Sequence, residues 1–246
     1  MKDIFKSVLS SYENTDLTIQ NDHLFSKMIN QEVNYPLNIK QMTINQSKKN
    51  REVLYMEKEC LEEITLKYLK KRLDTIFNVV YPDRKKIMRD CFSIFESINN
   101  MSDFTIFKFD FENFFDSVSS QEVFNKYIKS SNLFRYERDL LEQLVSSFNN
   151  CSPGLPTSNA LIEIISKEFD LKLKSTLYDK GLIFYSRYVD DVLIIFNQFV
   201  DKDYLFKIVE NIIKEIFFDS KVKINLDKTK YLCKSEKKST SFTYLG

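Results

Sequence analysis

The spacing of apolar residues changes near residue 103. From Arg51 to Val79, Val53, Leu54, Cys60, Leu61, Ile64, Tyr68, Leu69, Leu73, Ile76 and Phe77 recur mostly at steps of three, four and seven, with charges between them. That spacing predicts amphipathic helix. Pro82 punctuates the chain, and Ile87, Cys91, Ile94, Phe95 and Ile98 then fall on one stripe, predicting a helix over 87–98. Residues 14–50 are polar, rich in Asn, Gln and Lys, and weakly patterned, so loop with short structured pieces is expected there.

Past Asp103 the run Phe104-Thr105-Ile106-Phe107-Lys108-Phe109-Asp110-Phe111 is aromatic and β-branched, with apolar side chains at both parities. This is the mark of a central strand covered on both faces. Helices are predicted over 120–130, 137–148, 158–178 and 202–218, with a Pro-Gly-Leu-Pro break at 153–156. Two apolar runs, Leu182 to Val189 and Val192 to Phe196, meet at Asp190-Asp191 and read as a β-hairpin with an acidic tip. Further strands are expected at 221–225, 229–233 and 241–245. The whole is an alternating α+β arrangement without internal repeats.

A chain of 246 residues can bury one large irregular domain or two small ones. Only three glycines are present, Gly154, Gly181 and Gly246. They are too few for a G-x-G-x-x-G dinucleotide loop or a G-x-x-x-x-G-K-S/T phosphate loop, which excludes Rossmann oxidoreductases and P-loop NTPases. The single histidine, His23, lies in a polar stretch, so a multi-histidine metal site is impossible and a Ser-His-Asp triad is poorly supported. Any metal site must therefore be built from carboxylates.

The net charge of +1 gives the chain no strong overall field toward nucleic acid or an anionic membrane. Locally, Lys67 to Arg89 holds eight basic and two acidic residues, net +6, and Lys221 to Lys238 holds seven and two, net +5. Both windows suit phosphate contact, and a solvated helix face explains the first nearly as well. The cysteines, Cys60, Cys91, Cys151 and Cys233, stand about thirty or more residues apart without a CxxC pair, which points to a reducing compartment. No apolar run approaches the ~18 residues of a membrane span. The amino terminus lacks a continuous apolar leader segment, so a soluble cytoplasmic protein is expected, with no membrane partner.

An Asp-Asp pair alone reads first as a plain hairpin turn. Between two buried strands, however, adjacent carboxylates repel, and the pKa of at least one rises unless a cation sits between them. A divalent metal resolves this, and Asp110 at the end of the aromatic strand becomes the third ligand if that strand lies beside the hairpin. Oxygen ligation selects Mg²⁺ or Mn²⁺. Two such ions ~4 Å apart would clamp the attacking and leaving oxygens of a phosphoryl transfer.

These residues resemble the reverse transcriptase family. Phe109-Asp110-Phe111-Glu112-Asn113-Phe114-Phe115-Asp116-Ser117-Val118 is similar to motif A, and Gly154-Leu155-Pro156-Thr157-Ser158-Asn159 to motif B. Tyr188-Val189-Asp190-Asp191 is the Tyr-x-Asp-Asp box of motif C, while Leu226-Asp227-Lys228-Thr229-Lys230 resembles motif D and Phe242-Thr243-Tyr244-Leu245-Gly246 motif E. The five lie in family order over 103–246. Thr157-Ser158 stands where the family usually has Gln-Gly, a form similar to bacterial abortive-infection and other defence-associated members. The sequence stops at motif E, where the family normally continues into a helical thumb.

The resemblance implies an α+β fold: a right-hand polymerase palm with an RRM-like βαββ core over 103–246, a mainly helical fingers region over 1–102, and no thumb. It implies an RNA-directed DNA polymerase, with protein-primed or template-independent synthesis as variants, acting in antiviral defence. Two Mg²⁺ ions, or Mn²⁺, would be held by Asp110, Asp190, Asp191 and the main-chain carbonyl of Phe111, with Lys228 neutralising or protonating the leaving pyrophosphate. Substrate contacts would come from Phe115, which would exclude a ribose 2′-OH, from Pro156, Thr157, Ser158 and Tyr188, and from Arg84 and Lys85 on the triphosphate. Tyr244, Leu245 and Gly246 would grip the primer. Implied partners are an RNA template, a DNA or protein primer and deoxynucleoside triphosphates. With no thumb, an assembly is also expected, with further residues of the chain, other copies or a second protein. The competing readings are a non-catalytic RNA-binding scaffold and a two-metal nuclease or cyclase on the same core.

Overall fold

The computed structural model describes residues 1–33, 35–46, 49–98, 100–235 and 244. By internal contacts the chain forms two units, the first of Met1–Val80 and Val118–Ile164, the second of Tyr81–Ser117 and Ile165–Gly246. In chain order the helices are α1 (Lys2–Leu9), α2 (Thr15–Ile19), α3 (Asn21–Ile29), α4 (Tyr35–Asn38), α5 (Leu61–Ile76), α6 (Arg84–Ile98), α7 (Phe114–Ser117), α8 (Ser120–Val123), α9 (Arg135–Ser147), α10 (Pro156–Leu177) and α11 (Lys202–Ile216). The strands are β1 (Lys40–Gln46), β2 (Lys49–Tyr55), β3 (Thr105–Asp110), β4 (Leu182–Tyr188), β5 (Asp191–Phe196) and β6 (Lys230–Cys233). Among the described residues no helix is long and apolar enough to cross a membrane.

The first unit gathers helices around aromatic anchors. Phe5 of α1 meets Phe25 of α3 edge-on at 5.2 Å and Tyr68 of α5 at 5.8 Å. A buried ionic network lies between α5 and α9: Arg72 Nε donates to Glu137 Oε1 at 2.7 Å, and the Tyr68 hydroxyl and the Phe134 N–H donate to the same carboxylate. Segment 51–55, expected to begin a helix, is instead β2, paired antiparallel with β1 from Lys40↔Tyr55 to Gln46↔Lys49. The helix starts only at Leu61, where Cys60 Sγ accepts from Glu63 N. The loop before α10 joins this hairpin, since Leu54 N donates to Pro153 O at 2.9 Å. Gly154 is required there: its φ is +99°, and a Cβ would fall 2.0 Å from the Leu54 carbonyl oxygen.

The second unit is built on a four-stranded antiparallel sheet in the order β4-β5-β3-β6. The crossover from β3 to β4 ends in α10 and that from β5 to β6 contains α11, the connectivity of a split βαβ, RRM-like core. Every residue of β3 is buried. On one face Ile106, Leu193 and Ile195 pack with Cys91 and Ile98 of α6. On the other, Phe107 meets Phe206 of α11 at 5.2 Å, and Phe111 meets Phe169 of α10 at 5.4 Å. The strand expected at 221–225 is reduced to one bridge, Phe111 to Ile224, because β6 pairs with Thr105–Lys108 and only this short stretch reaches the rest of that edge. The strand expected at 241–245 lies, apart from Tyr244, outside the described residues.

Candidate active site

Side chains alternate along a strand, so Ile106, Lys108 and Asp110 share one face of β3. The register pairs Asp110 with Asp191, Lys108 with Leu193 and Ile106 with Ile195, which sets two carboxylates side by side at the end of the sheet. Lys108 Nζ donates to Asp110 Oδ1 at 2.7 Å and lies 2.9 Å from Asp191 Oδ1. Lys228 Nζ reaches Asp110 Oδ2 at 2.6 Å from the 3-10 turn Leu226–Lys228. That turn is tied to β3 through Asn225, whose N–H donates to Asp110 O and whose side chain accepts from Lys228 N.

The two aspartates are driven apart electrostatically. Burial, and then the neighbouring Asp110, push the Asp191 carboxyl up to about 6. Burial also acts to raise Asp110, but hydrogen bonds with Asp191, Lys108 and Lys228 hold it below the usual carboxylate range. On Lys108 burial works against the charge, and its bonds to Asp110 and Asp191 more than restore it. The hydrogen bond to Asp110 raises Lys228. A raised and a lowered carboxyl in contact are what two like charges sharing one site produce.

Asp190 sits on the hairpin turn. Its carbonyl accepts from Phe111 N at 3.0 Å, which fastens the turn to the end of β3. Val189 before it has φ +57°, a backbone state that costs a β-branched residue ~1–3 kcal/mol and persists only where the surroundings enforce it. Beneath the turn Arg187, buried in β4, pairs with Asp170 of α10 through Nε at 2.9 Å and Nη2 at 3.1 Å.

The donor set of Asp110, Asp190 and Asp191 is oxygen only, which fits a hard divalent cation. Among the described residues, though, no three His, Cys, Asp or Glu side chains stand close enough to hold a metal ion. Asp110 and Asp191 converge, and the carboxylate of Asp190 does not complete a cluster with them.

The other expected site residues lie on several elements. Tyr188 closes β4, paired with Asp191 and half-buried. Phe111 points into the core, stacked on Phe114 at 4.5 Å, so only its main chain is left for a ligand. Phe115 is half-buried in α7. Arg84 and Lys85 are exposed at the start of α6, where Asp83 accepts from Lys85 N. In the first unit, Thr157 and Ser158 are buried and Ser158 Oγ donates to Ser152 O, while Pro156 is half-buried. Tyr244 packs on the α6 face of the sheet and its hydroxyl lies 2.7 Å from Ser186 Oγ; burial pushes it up to about 12. Leu245 and Gly246 lie outside the described residues.

Lys108, Arg187 and Asp170 join the site without belonging to any of the five motifs. A lysine inside an aromatic strand and an arginine in the apolar run 182–189 were the available signals, since a charge within a buried strand requires a partner.

The sheet order and the helices on its two faces are those of a polymerase palm. A model of the family described as reverse transcriptase (RNA-dependent DNA polymerase) matches residues 40–246, and the chain belongs to that family. No curated protein sequence matches it. In fold the chain is similar to the apo telomerase of Candida tropicalis truncated from its C-terminal domain, with TM-score 0.59 and 16% identity over 91% of this chain and 57% of that one. It is also similar to the apo telomerase of Candida tropicalis in a second structure, with TM-score 0.56 and 13% identity over 92% and 50%. Candida albicans telomerase in complex with a fragment of telomeric RNA gives TM-score 0.52 and 13% identity over 88% and 46%. The chain thus spans about half the length of these structures.

Proposed function

We propose that the chain carries the catalytic part of an RNA-directed DNA polymerase, adding deoxynucleotides to a 3′-hydroxyl, with residues 1–102 acting as fingers and 103–246 as palm. The observation that carries this reading is the pairing of Asp110 with Asp191 across β3 and β5, with Lys228 donating to Asp110. Asp110, Asp190, Asp191 and the Phe111 carbonyl would hold two Mg²⁺ or Mn²⁺ ions. Such ions, when bound, supply an activated hydroxyl and charge neutralisation for phosphoryl transfer.

Lys228 keeps its proton and is 58% exposed at the mouth of the site, so it can meet the charge that develops on a leaving pyrophosphate. Lys108 holds the two carboxylates together from the inner side. Phe115, in the turn after Asp110, would exclude a 2′-OH, and Phe115→Ala is expected to raise ribonucleotide over deoxynucleotide incorporation. Arg84 and Lys85 would contact the triphosphate. Pro156, through the first turn of α10, would contact the base pair, with Thr157 and Ser158 shaping that turn from within. Tyr244 would place the primer end against β4. The template is RNA, and the primer DNA or protein; the Thr157-Ser158 form of motif B supports a setting in antiviral defence.

The test is incubation of the purified chain with labelled deoxynucleotides, an RNA template and Mg²⁺ or Mn²⁺, beside Asp190→Asn. Incorporation that the variant lacks supports the reading. Cleavage of the template or a cyclic nucleotide product would transfer the site to a two-metal nuclease or cyclase. Binding of RNA without any product would make the chain a scaffold.

A further inference from the structure

The turn bearing Asp190 and Asp191 is held by side chains that the phosphoryl-transfer chemistry itself does not use. The peptide planes on both sides of Asp190 are fixed. On the near side, Arg187 Nη1 donates to the Val189 carbonyl at 3.0 Å. On the far side, Phe111 N donates to the Asp190 carbonyl at 3.0 Å. Arg187 is itself immobilised: its side chain is 4% exposed, and its Nε and Nη2 grip the Asp170 carboxylate at 2.9–3.2 Å. Asp170 in turn accepts from the Tyr185 hydroxyl at 2.6 Å and follows Phe169, a fully buried ring of the core.

This chain of contacts explains the conformation of Val189. A β-branched residue does not settle at φ +57° by preference, so a turn left to itself would relax and carry Asp190 with it. A planar guanidinium with donors on two edges can hold a carboxylate and a carbonyl at once, which an ammonium cannot do in the same geometry. We infer that Arg187, anchored by Asp170, is a positioning residue that locks the Val189-Asp190 turn and so fixes where the two hairpin carboxylates stand. The inference rests on the polymerase reading of those carboxylates.

The test compares the wild-type chain, Arg187→Lys, Asp170→Asn and Arg187→Lys combined with Val189→Gly. Four quantities are read: kcat and KM for the deoxynucleotide, Mn²⁺ affinity by calorimetry, and melting temperature. Arg187→Lys is expected to lower kcat at least ~10-fold and weaken Mn²⁺ binding several-fold, with KM within ~3-fold. Adding Val189→Gly, which accepts positive φ, should recover part of kcat, a rescue that a merely structural arginine would not show. If Arg187→Lys does not fold, Asp170→Asn, which keeps an acceptor for Tyr185, carries the same expectation. A wild-type polymerase whose folded variants keep kcat and Mn²⁺ affinity overturns the lock and leaves the polymerase reading intact. A wild-type chain that incorporates nothing yet binds Mn²⁺ more tightly than the variants overturns the polymerase reading and leaves the lock standing.

Discussion

Two clusters of buried charge can be set side by side. In the first unit Glu137 is fully buried and saturated: one carboxylate receives Arg72, a tyrosine hydroxyl and a backbone N–H. In the second, Asp110 and Asp191 press against each other, and Lys108 and Lys228 reach them from the inner and outer sides. The first cluster is closed, with one negative group for one positive group and both carboxylate oxygens accepting. The second has a further aspartate on the adjoining turn and a carboxyl displaced to about 6. The difference separates a charge pair satisfied within the fold from a carboxylate pair whose members hold their protons unequally.

The largest effect should come from opening the closed cluster. Glu137→Ala strands Arg72 and is expected to cost ~3–5 kcal/mol, read as a loss of about 10 °C in melting temperature. A variant that melts like the wild type would remove the contrast. Next, Asp110→Asn should lower nucleotide incorporation by ~100-fold or more while costing less melting temperature than Glu137→Ala, because the amide oxygen still accepts from buried Lys108 and the exposed Lys228 can turn away from the amide nitrogen into solvent. Equal losses of stability in these two variants would show that both clusters are structural. Lys228→Met is expected to lower kcat ~100-fold with little change in melting, since this lysine is exposed.

The smallest effect concerns pH. With chelator present, Asp191 binds its proton more tightly in the folded chain than in the unfolded one, where an ordinary carboxyl titrates near 3.8. Its stabilising contribution is therefore complete below about pH 4 and lost as pH rises through about 6. Asp191→Asn should remove that loss, so the variant should gain on the wild type by about 2–3 kcal/mol between pH 4 and pH 7, read from melting temperatures across that range. A constant difference across that range would mean Asp191 is an ordinary carboxylate.

Much of the second unit was legible because it is written in strong local signals. The aromatic run 104–111 allowed only a buried strand, and the acidic tip between 182–189 and 192–196 marked a hairpin. What was not legible depended on partners distant in sequence. The β1–β2 hairpin is polar along much of its length and is held partly by Leu54 reaching Pro153, about a hundred residues on, so its first strand passed for loop and its second for the start of a helix. Arg187, a charge inside an apolar run, signals only that some partner must exist; the packing of α10 on β4 is what makes that partner Asp170. The acidic pair at the hairpin tip is visible in the sequence, but the lysine between Asp110 and Asp191 could not be placed without the register of β3 against β5.

That register also bears on how the protein is made. β3 leaves the ribosome about eighty residues before β5 and about one hundred and twenty before β6, its two neighbours in the sheet. At ~5–20 residues per second, a strand rich in phenylalanine waits roughly 4–16 s for its first partner. Both its edges are unpaired throughout, the condition in which nascent chains associate with one another. Expression at low temperature or with added chaperone should therefore raise the soluble yield more than changes at the charged surface, and synonymous codons that slow synthesis between β3 and β5 should lower it.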